Sequence, residues 1–255
     1  MSAALADRGI VITRPQQQSA ALAAMIAEAG GRVFRFPVIE IRDTENTAEL
    51  DALIDRLDDY HIAIFISPNA AERALGRITA RRRWPATLAA AAVGPGGAAV
   101  LAAQGVTGVT VPAQRFDSEG LLGTPLLQSA AGRRVVIFRG NGGREFLAEA
   151  LRERGAAVEV VECYRRERPQ ADAAPLLAAW ARGEVDAVTV TSSEGLHNLF
   201  VMLGSTGEAA LRATPLFVPH PRIAAVAGER GCARVITTDA GDRGLLAALR
   251  MHFQP

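Results

Sequence analysis

Lysine is absent from this 255-residue chain: all 28 basic side chains are arginine. That excludes a P-loop lysine, a Schiff-base lysine and, with them, ordinary pyridoxal-phosphate chemistry. Cysteine is scarce. Cys163 and Cys232 stand far apart and outside any C-x-x-C pair, so no disulfide framework is expected and a reducing compartment is implied. Cys163 sits in a strand-like run, residues 158–164, and reads as a buried thiol. Charge of one sign is also lacking: a formal net charge of +1 gives no global attraction to nucleic acid or to an anionic membrane. Glycine and proline break the alanine-rich runs well short of a membrane span, and the start has no basic, long-apolar signal, so a cytoplasmic location is expected. The four histidines (His61, His197, His220, His252) stand singly without metal-ligand spacing, and no G-x-S-x-G elbow occurs. His197 reads as a helix-face residue and His252 as part of a C-terminal tail.

What is present is a repeat. Val11-Ile12-Thr13-Arg14 is answered by Val136-Ile137-Phe138-Arg139, a shift of 125 from residue 14 to residue 139. The same shift carries Leu22 to Leu147, Gly30 to Gly155, Phe65-Ile66-Ser67 to Val190-Thr191-Ser192, and Val93-Gly94 to Val218-Pro219. Around it, short β-rich runs alternate with stretches of helical periodicity. The first half reads as strands 10–13, 32–36, 61–66, 88–93 and 106–111, with helices over 16–29, 50–57, 70–80, 97–104 and 120–129. The second half repeats the order, with strands 134–138, 157–163, 187–191, 215–218 and 234–237 and helices 145–154, 173–182, 195–203, 223–228 and 243–252. Alternation of this kind implies parallel sheets, because parallel strands need crossover connections. The fold class expected is therefore α/β, with two flavodoxin-like doubly wound parallel-sheet domains related by internal duplication and a ligand cleft between them. The polar stretches 36–47 and 164–171 are the connector candidates.

Groups suited to anions gather at the predicted strand ends. Arg14 follows the first strand, and Arg139-Gly140-Asn141-Gly142-Gly143-Arg144 follows its counterpart; arginine offers bidentate carboxylate contacts, and glycine lets backbone N–H groups approach an anion. A glycine-rich turn with solvated arginine is the equally weighted reading. Ser67-Pro68-Asn69 and Thr191-Ser192-Ser193 precede helices, where N-capping is expected without excluding ligand contact. Gly94-Pro95-Gly96-Gly97 and His220-Pro221-Arg222 close matching fourth strands. Tyr164, one of two tyrosines, ends a strand; read alone, a ring packed there with its hydroxyl in water is favoured over a role in the cleft.

Taken in order, these segments resemble the uroporphyrinogen-III synthase family over nearly the whole chain. The likeness rests on Val11-Ile12-Thr13-Arg14-Pro15, Phe65-Ile66-Ser67-Pro68-Asn69-Ala70, Ala92-Val93-Gly94-Pro95-Gly96 and Asp117-Ser118-Glu119-Gly120-Leu121-Leu122. It continues through the run 139–144, Tyr164-Arg165-Arg166, Thr191-Ser192-Ser193 and Gly244-Leu245-Leu246. The resemblance implies a chain that starts in one domain, crosses to the second and returns. One domain would hold 1–37 with 167–255 and the other 42–160, with 38–41 and 161–166 as linker strands. It implies a cofactor-free, metal-free cyclising hydro-lyase of tetrapyrrole and heme biosynthesis, acting on hydroxymethylbilane, a linear tetrapyrrole with eight carboxylates. Loss of the terminal hydroxyl as water leaves an azafulvene, which closes through a spiro intermediate with inversion of ring D. Tyr164 matches the tyrosine that would assist hydroxyl departure, since phenols remain protonated at neutral pH. The substrate-binding set implied is Arg14, Ser67, Asn69, Gly94, Arg139, Gly140, Arg144, Ser192, Ser193, His220 and Arg222. A monomer is expected, with the preceding pathway enzyme as a transient partner. The alternative is a cytosolic two-lobed binding or sensor protein for a polycarboxylate.

Overall fold

A computed structural model describes residues 4–143 and 145–254. The chain opens with β1 (Gly9–Ile12), α1 (Ala20–Glu28), β2 (Arg32–Arg35), β3 (Glu40–Asp43), α2 (Thr47–Asp55), β4 (Ile62–Phe65) and α3 (Pro68–Arg81). Next come β5 (Ala89–Ala92), α4 (Pro95–Ala103), α5 (Ser118–Leu122), α6 (Pro125–Gln128), β6 (Arg134–Gly140), α7 (Phe146–Glu153) and β7 (Ala157–Glu167). It finishes with α8 (Ala174–Ala181), β8 (Ala187–Thr189), α9 (Ser193–Ala213), β9 (Leu216–Val218), α10 (Pro221–Glu229), β10 (Val235–Thr237) and α11 (Gly241–Phe253). Among the described residues, no helix is long and apolar enough to cross a membrane.

The chain divides into two compact units, Met1–Glu40 with Glu167–Pro255, and Ile41–Arg166. The first holds a five-stranded sheet in the order β10-β9-β8-β1-β2; the second holds one in the order β3-β7-β6-β4-β5. The pairs β1–β2, β1–β8, β8–β9 and β9–β10 run parallel, as do β4–β5, β4–β6 and β6–β7. Strands 125 residues apart hold the same rank: β2-β1-β8-β9 in one sheet reads as β7-β6-β4-β5 in the other.

Burial explains the layers of the second unit. Ile62, Ile64, Val135 and Ile137 pack with Leu121, Leu127, Leu147 and Leu151, so the α5–α7 layer covers one face. The alternate residues Ala63, Phe65, Val136 and Phe138 point the other way and are fully buried, on the side of α3, whose own Ala70, Ala71, Ala74 and Leu75 are equally inaccessible. Phe65 and Phe138 stack there at 5.0 Å. In the first unit, Val11, Val188, Leu196, Leu199 and Val218 form one core cluster, and Ile10, Ile12, Ala187, Phe217 and Leu245 form a second on the opposite face.

Several expected elements differ. The run 106–111 is not a strand. Gly108 adopts a left-handed φ of 68°, which interrupts extended pairing, and only Thr110 joins the sheet, as an isolated bridge to Ala91. The single helix expected over 120–129 is two, because Pro125 holds Thr124 extended and starts a new helix. Residues 16–18 form a 3-10 turn ahead of α1, and α9 runs on to Ala213 through a break at Gly204, whose φ is 60°. The polar stretch 36–47 contains β3, and β7 extends through Tyr164 to Glu167. His252 is no tail residue: it sits in the last turn of α11 with its ring edge-on to Phe217 at 5.5 Å.

The Phe65–Phe138 stack supports the central strands of the second unit. Phe138→Ala is expected to lower the stability of that unit by about 3–5 kcal/mol, read as a lower urea midpoint.

Candidate functional site

At the carboxyl end of the second sheet the regular ladder breaks. Arg139 of β6 pairs with Glu162 of β7, but Gly140 pairs with Tyr164, so Cys163 is the extra residue of a bulge. The bulge turns two consecutive residues inward: Cys163 is 2% exposed and Tyr164 is 1% exposed. Tyr164 therefore lies across β6, directly over Gly140. A Cβ at position 140 would come within 2.6 Å of Tyr164 Cζ, so glycine is required for the ring to lie there. Crossing β6 brings the phenol to the end of β4, where Tyr164 Oη meets Ser67 Oγ at 3.1 Å.

The hydroxyl is thus not in water, as reading the residue alone favoured, but enclosed. Ser67 Oγ accepts from the Ala70 amide at 3.0 Å, capping α3. Arg166 Nη2 donates to Tyr164 Oη at 3.4 Å, with its guanidinium 5.9 Å from the ring centroid. Asn141 ties the two strand ends together. Its amide donates to the Tyr164 carbonyl at 3.1 Å, and its Oδ1 accepts from the Arg166 amide at 2.6 Å. Gly94, two residues past β5, is the N-cap of α4, and Gly96 allows that helix close to α3: a Cβ there would be 3.2 Å from Pro68. Asn69 lies in the first turn of α3. Arg139 points to the other face. Its Nη1 pairs with Glu145 at 2.6 Å and its side chain is 16% exposed, so it is neither solvated nor unpaired. Its Nε is buried without a hydrogen-bond partner among the described residues. Arg144 lies outside the described residues.

The strand ends of the first unit carry the other expected residues. Arg14 Nη1 is paired with Asp242 at the start of α11, so its charge is already matched within its own unit. Ser192 Oγ accepts from the Gly195 amide at 2.9 Å and caps α9. Ser193 Oγ, beside it, is buried without a partner among the described residues. His220 is exposed and caps α10, its Nδ1 accepting from the Arg222 amide at 3.0 Å; Arg222 is exposed in the first turn. No group of histidine, cysteine and carboxylate able to hold a metal occurs among the described residues.

These features sit on a chain whose relatives are recognisable. A family model described as "Uroporphyrinogen-III synthase HemD" matches residues 20–247. The uroporphyrinogen-III synthase of Escherichia coli strain K12 is 32% identical over 244 residues, covering 94% of this chain and 99% of the relative. That of Salmonella typhimurium strain LT2 is 34% identical over 247 residues, again covering 94% and 99%. The chain belongs to the uroporphyrinogen-III synthase family. Two solved structures share the fold. A mutant uroporphyrinogen III synthase from the extremely thermophilic bacterium Thermus thermophilus superposes with a TM-score of 0.64 at 18% identity, over 97% of this chain and 100% of that one. The uroporphyrinogen-III synthetase of Helicobacter pylori 26695 gives 0.61 at 13% identity, with the same coverage.

Within this family member, sequence reasoning missed Asn141 and Arg166 as parts of the site. Both lay inside motifs already singled out, but their roles depend on the bulge, which no periodicity announces. Cys163 is inert for a definite reason: burial pushes its thiol up to about 12. The raised pKa leaves stability unchanged below the ordinary thiol value of 9.0 and lowers it as pH rises from there to about 12, where the unfolded thiol ionises first. Cys163 is accordingly expected to resist iodoacetamide at pH 8 in the folded protein and to react once urea unfolds it, as peptide mass mapping would read. Gly140→Ala is expected to displace the Tyr164 ring and cost about 1–3 kcal/mol, seen as a changed near-ultraviolet dichroism and a lower urea midpoint.

Proposed function

We propose that this chain is a cyclising lyase that converts hydroxymethylbilane to uroporphyrinogen III, with loss of water and inversion of ring D. The observation that carries the reading is the hydrogen-bonding shell of Tyr164 in a chain that matches a family relative over 94% of its length. A phenol oxygen can accept two hydrogen bonds and donate one. Arg166 can only donate, and Ser67, which already accepts from Ala70, has its own proton to offer. With both neighbours donating, the Tyr164 proton is left for the hydroxyl that departs, and the Arg166 charge stabilises the oxygen that loses it. The Arg166 contact is the long one, and its side chain is exposed, so that side is where the substrate's hydroxymethyl arm would approach. Protonation assists a leaving group that the adjacent pyrrole nitrogen already expels. Most of the catalytic effect would then lie in holding the bilane so that ring D closes inverted.

The strand ends supply the means of holding it. Arg14 and Arg139 are the cations there, each balanced by a carboxylate of its own unit that a substrate carboxylate would replace. Ser193 contributes a hydroxyl without an internal partner among the described residues. Family membership leaves the polycarboxylate-sensor alternative unfavoured.

Freshly prepared hydroxymethylbilane, incubated with the pure protein and resolved by isomer after oxidation, is expected to give the type III product. Accumulation of type I alone would contradict the reading. Tyr164→Phe is expected to lower kcat by about 10²-fold with KM little changed, because it removes the donated proton and keeps the ring. An unchanged kcat would remove the phenol from the reaction.

A further inference from the structure

The face of the second sheet opposite Tyr164 carries its own recess. At the carboxyl ends of β4 and β6 a cavity of about 210 Å³ opens, with walls from Ile66, Val93, Ile137, Leu147 and Val160 and with Arg139 lining it. Its place is the switch point of the doubly wound sheet. The chain leaves β6 through α7 on one face and β4 through α3 on the other, which parts the strand ends where ligands of such folds bind. We infer that this cavity is a subsite for one carboxylate-bearing pyrrole ring of the linear substrate, an assignment that rests on the reaction proposed above.

Size, polarity and charge agree on that occupant. Pockets for drug-sized ligands run to roughly 300–1,000 Å³, so this one suits a single substituted ring and not a whole tetrapyrrole. Five aliphatic walls match the ring. The cation matches its acid arm. Arg139 is held by Glu145, whose side chain is 47% exposed and can swing to water, and its Nε–H is buried without an acceptor among the described residues. The carboxylate at the edge of the cavity, Asp117, does not oppose an incoming anion. Its Oδ1 accepts from the Gly120 amide and its Oδ2 from Arg115.

The test is an amide-resolved NMR titration of the full chain with porphobilinogen, a single pyrrole bearing two carboxylate arms, alongside unsubstituted pyrrole and propionate. The expected result is saturable movement of the Ser118, Ile137 and Ala148 amides, with porphobilinogen binding about tenfold more tightly than either fragment. Arg139→Gln should weaken it by about tenfold, the loss of one charge-assisted contact. Ala148→Leu, which fills the cavity and keeps the arginine, should abolish it; thermal unfolding of both variants identifies which retains the fold and is to be read. Porphobilinogen that leaves these amides unmoved, or that binds a folded variant as it binds the parent, overturns the subsite. The reaction and the subsite fail separately. Type III product without binding in the cavity refutes this inference alone, whereas cavity binding without type III product refutes the reaction and keeps only a site for a carboxylate-bearing pyrrole, not its place on the linear substrate.

Discussion

A tyrosine ring laid across a glycine is the constraint on which the candidate site depends. Neighbouring strands stand about 4.8 Å apart, so a side chain from β7 reaches the end of β4 only by passing over β6. Gly140 leaves the space, and the bulge at Cys163 supplies the aim. Either alone would fail: without the bulge Tyr164 would not stand opposite Gly140, and with any side chain at 140 the ring would be pushed off the sheet. The positions 125 residues away in the first unit are Pro15 and Ile39, so Ser192, a helix cap like its counterpart Ser67, has no tyrosine at the position matching Tyr164. The two sheets share the order of four strands, with the fifth on opposite edges, yet the phenol–serine pair belongs to one of them.

The absence of lysine shapes the surface of that same unit. Arginines of α3 and its C-cap reach the aspartates of α2 and the turn after it: Arg77 to Asp51, Arg81 to Asp55 at 2.7 Å, and Arg82 to Asp58. Exposed pairs of this kind contribute little individually, about 0–1 kcal/mol. Their forked geometry fixes orientation more than it adds stability, and they hold α3, whose N-terminus carries Ser67, against α2. Arg14 and Arg139 differ in being largely enclosed, so each needs a carboxylate wherever it goes.

Much of this was legible in residues, and the rest was not for identifiable reasons. Runs such as Ile62–Phe65 and 135–138 announce buried parallel strands because they are apolar on both faces. Ser67 and Ser192 announce helix starts because the orphan amides there need an acceptor. The run 106–111 looked equally strand-like, and only the backbone shows Gly108 in a conformation that a strand cannot use. Glu40–Asp43, three of its four residues charged, gave no alternation to read, yet pairs at the sheet edge. Arg14 was found by motif, but its acidic partner was not, since Asp242, 228 residues away, leaves no local trace. The enclosure of the Tyr164 hydroxyl was hidden for the same reason: it follows from a pairing slip, which depends on two strands at once.

The most direct test of this account is a double-mutant cycle between Ser67→Ala and Tyr164→Phe, read as the rate of type III product formation. If the serine acts by directing the phenol's proton, the two losses should overlap. The double variant would then be no slower than Tyr164→Phe alone, with a coupling of about 1 kcal/mol or more. Strictly additive losses would mean that the two hydroxyls act independently and would contradict the arrangement of Tyr164 over Gly140 as the working centre.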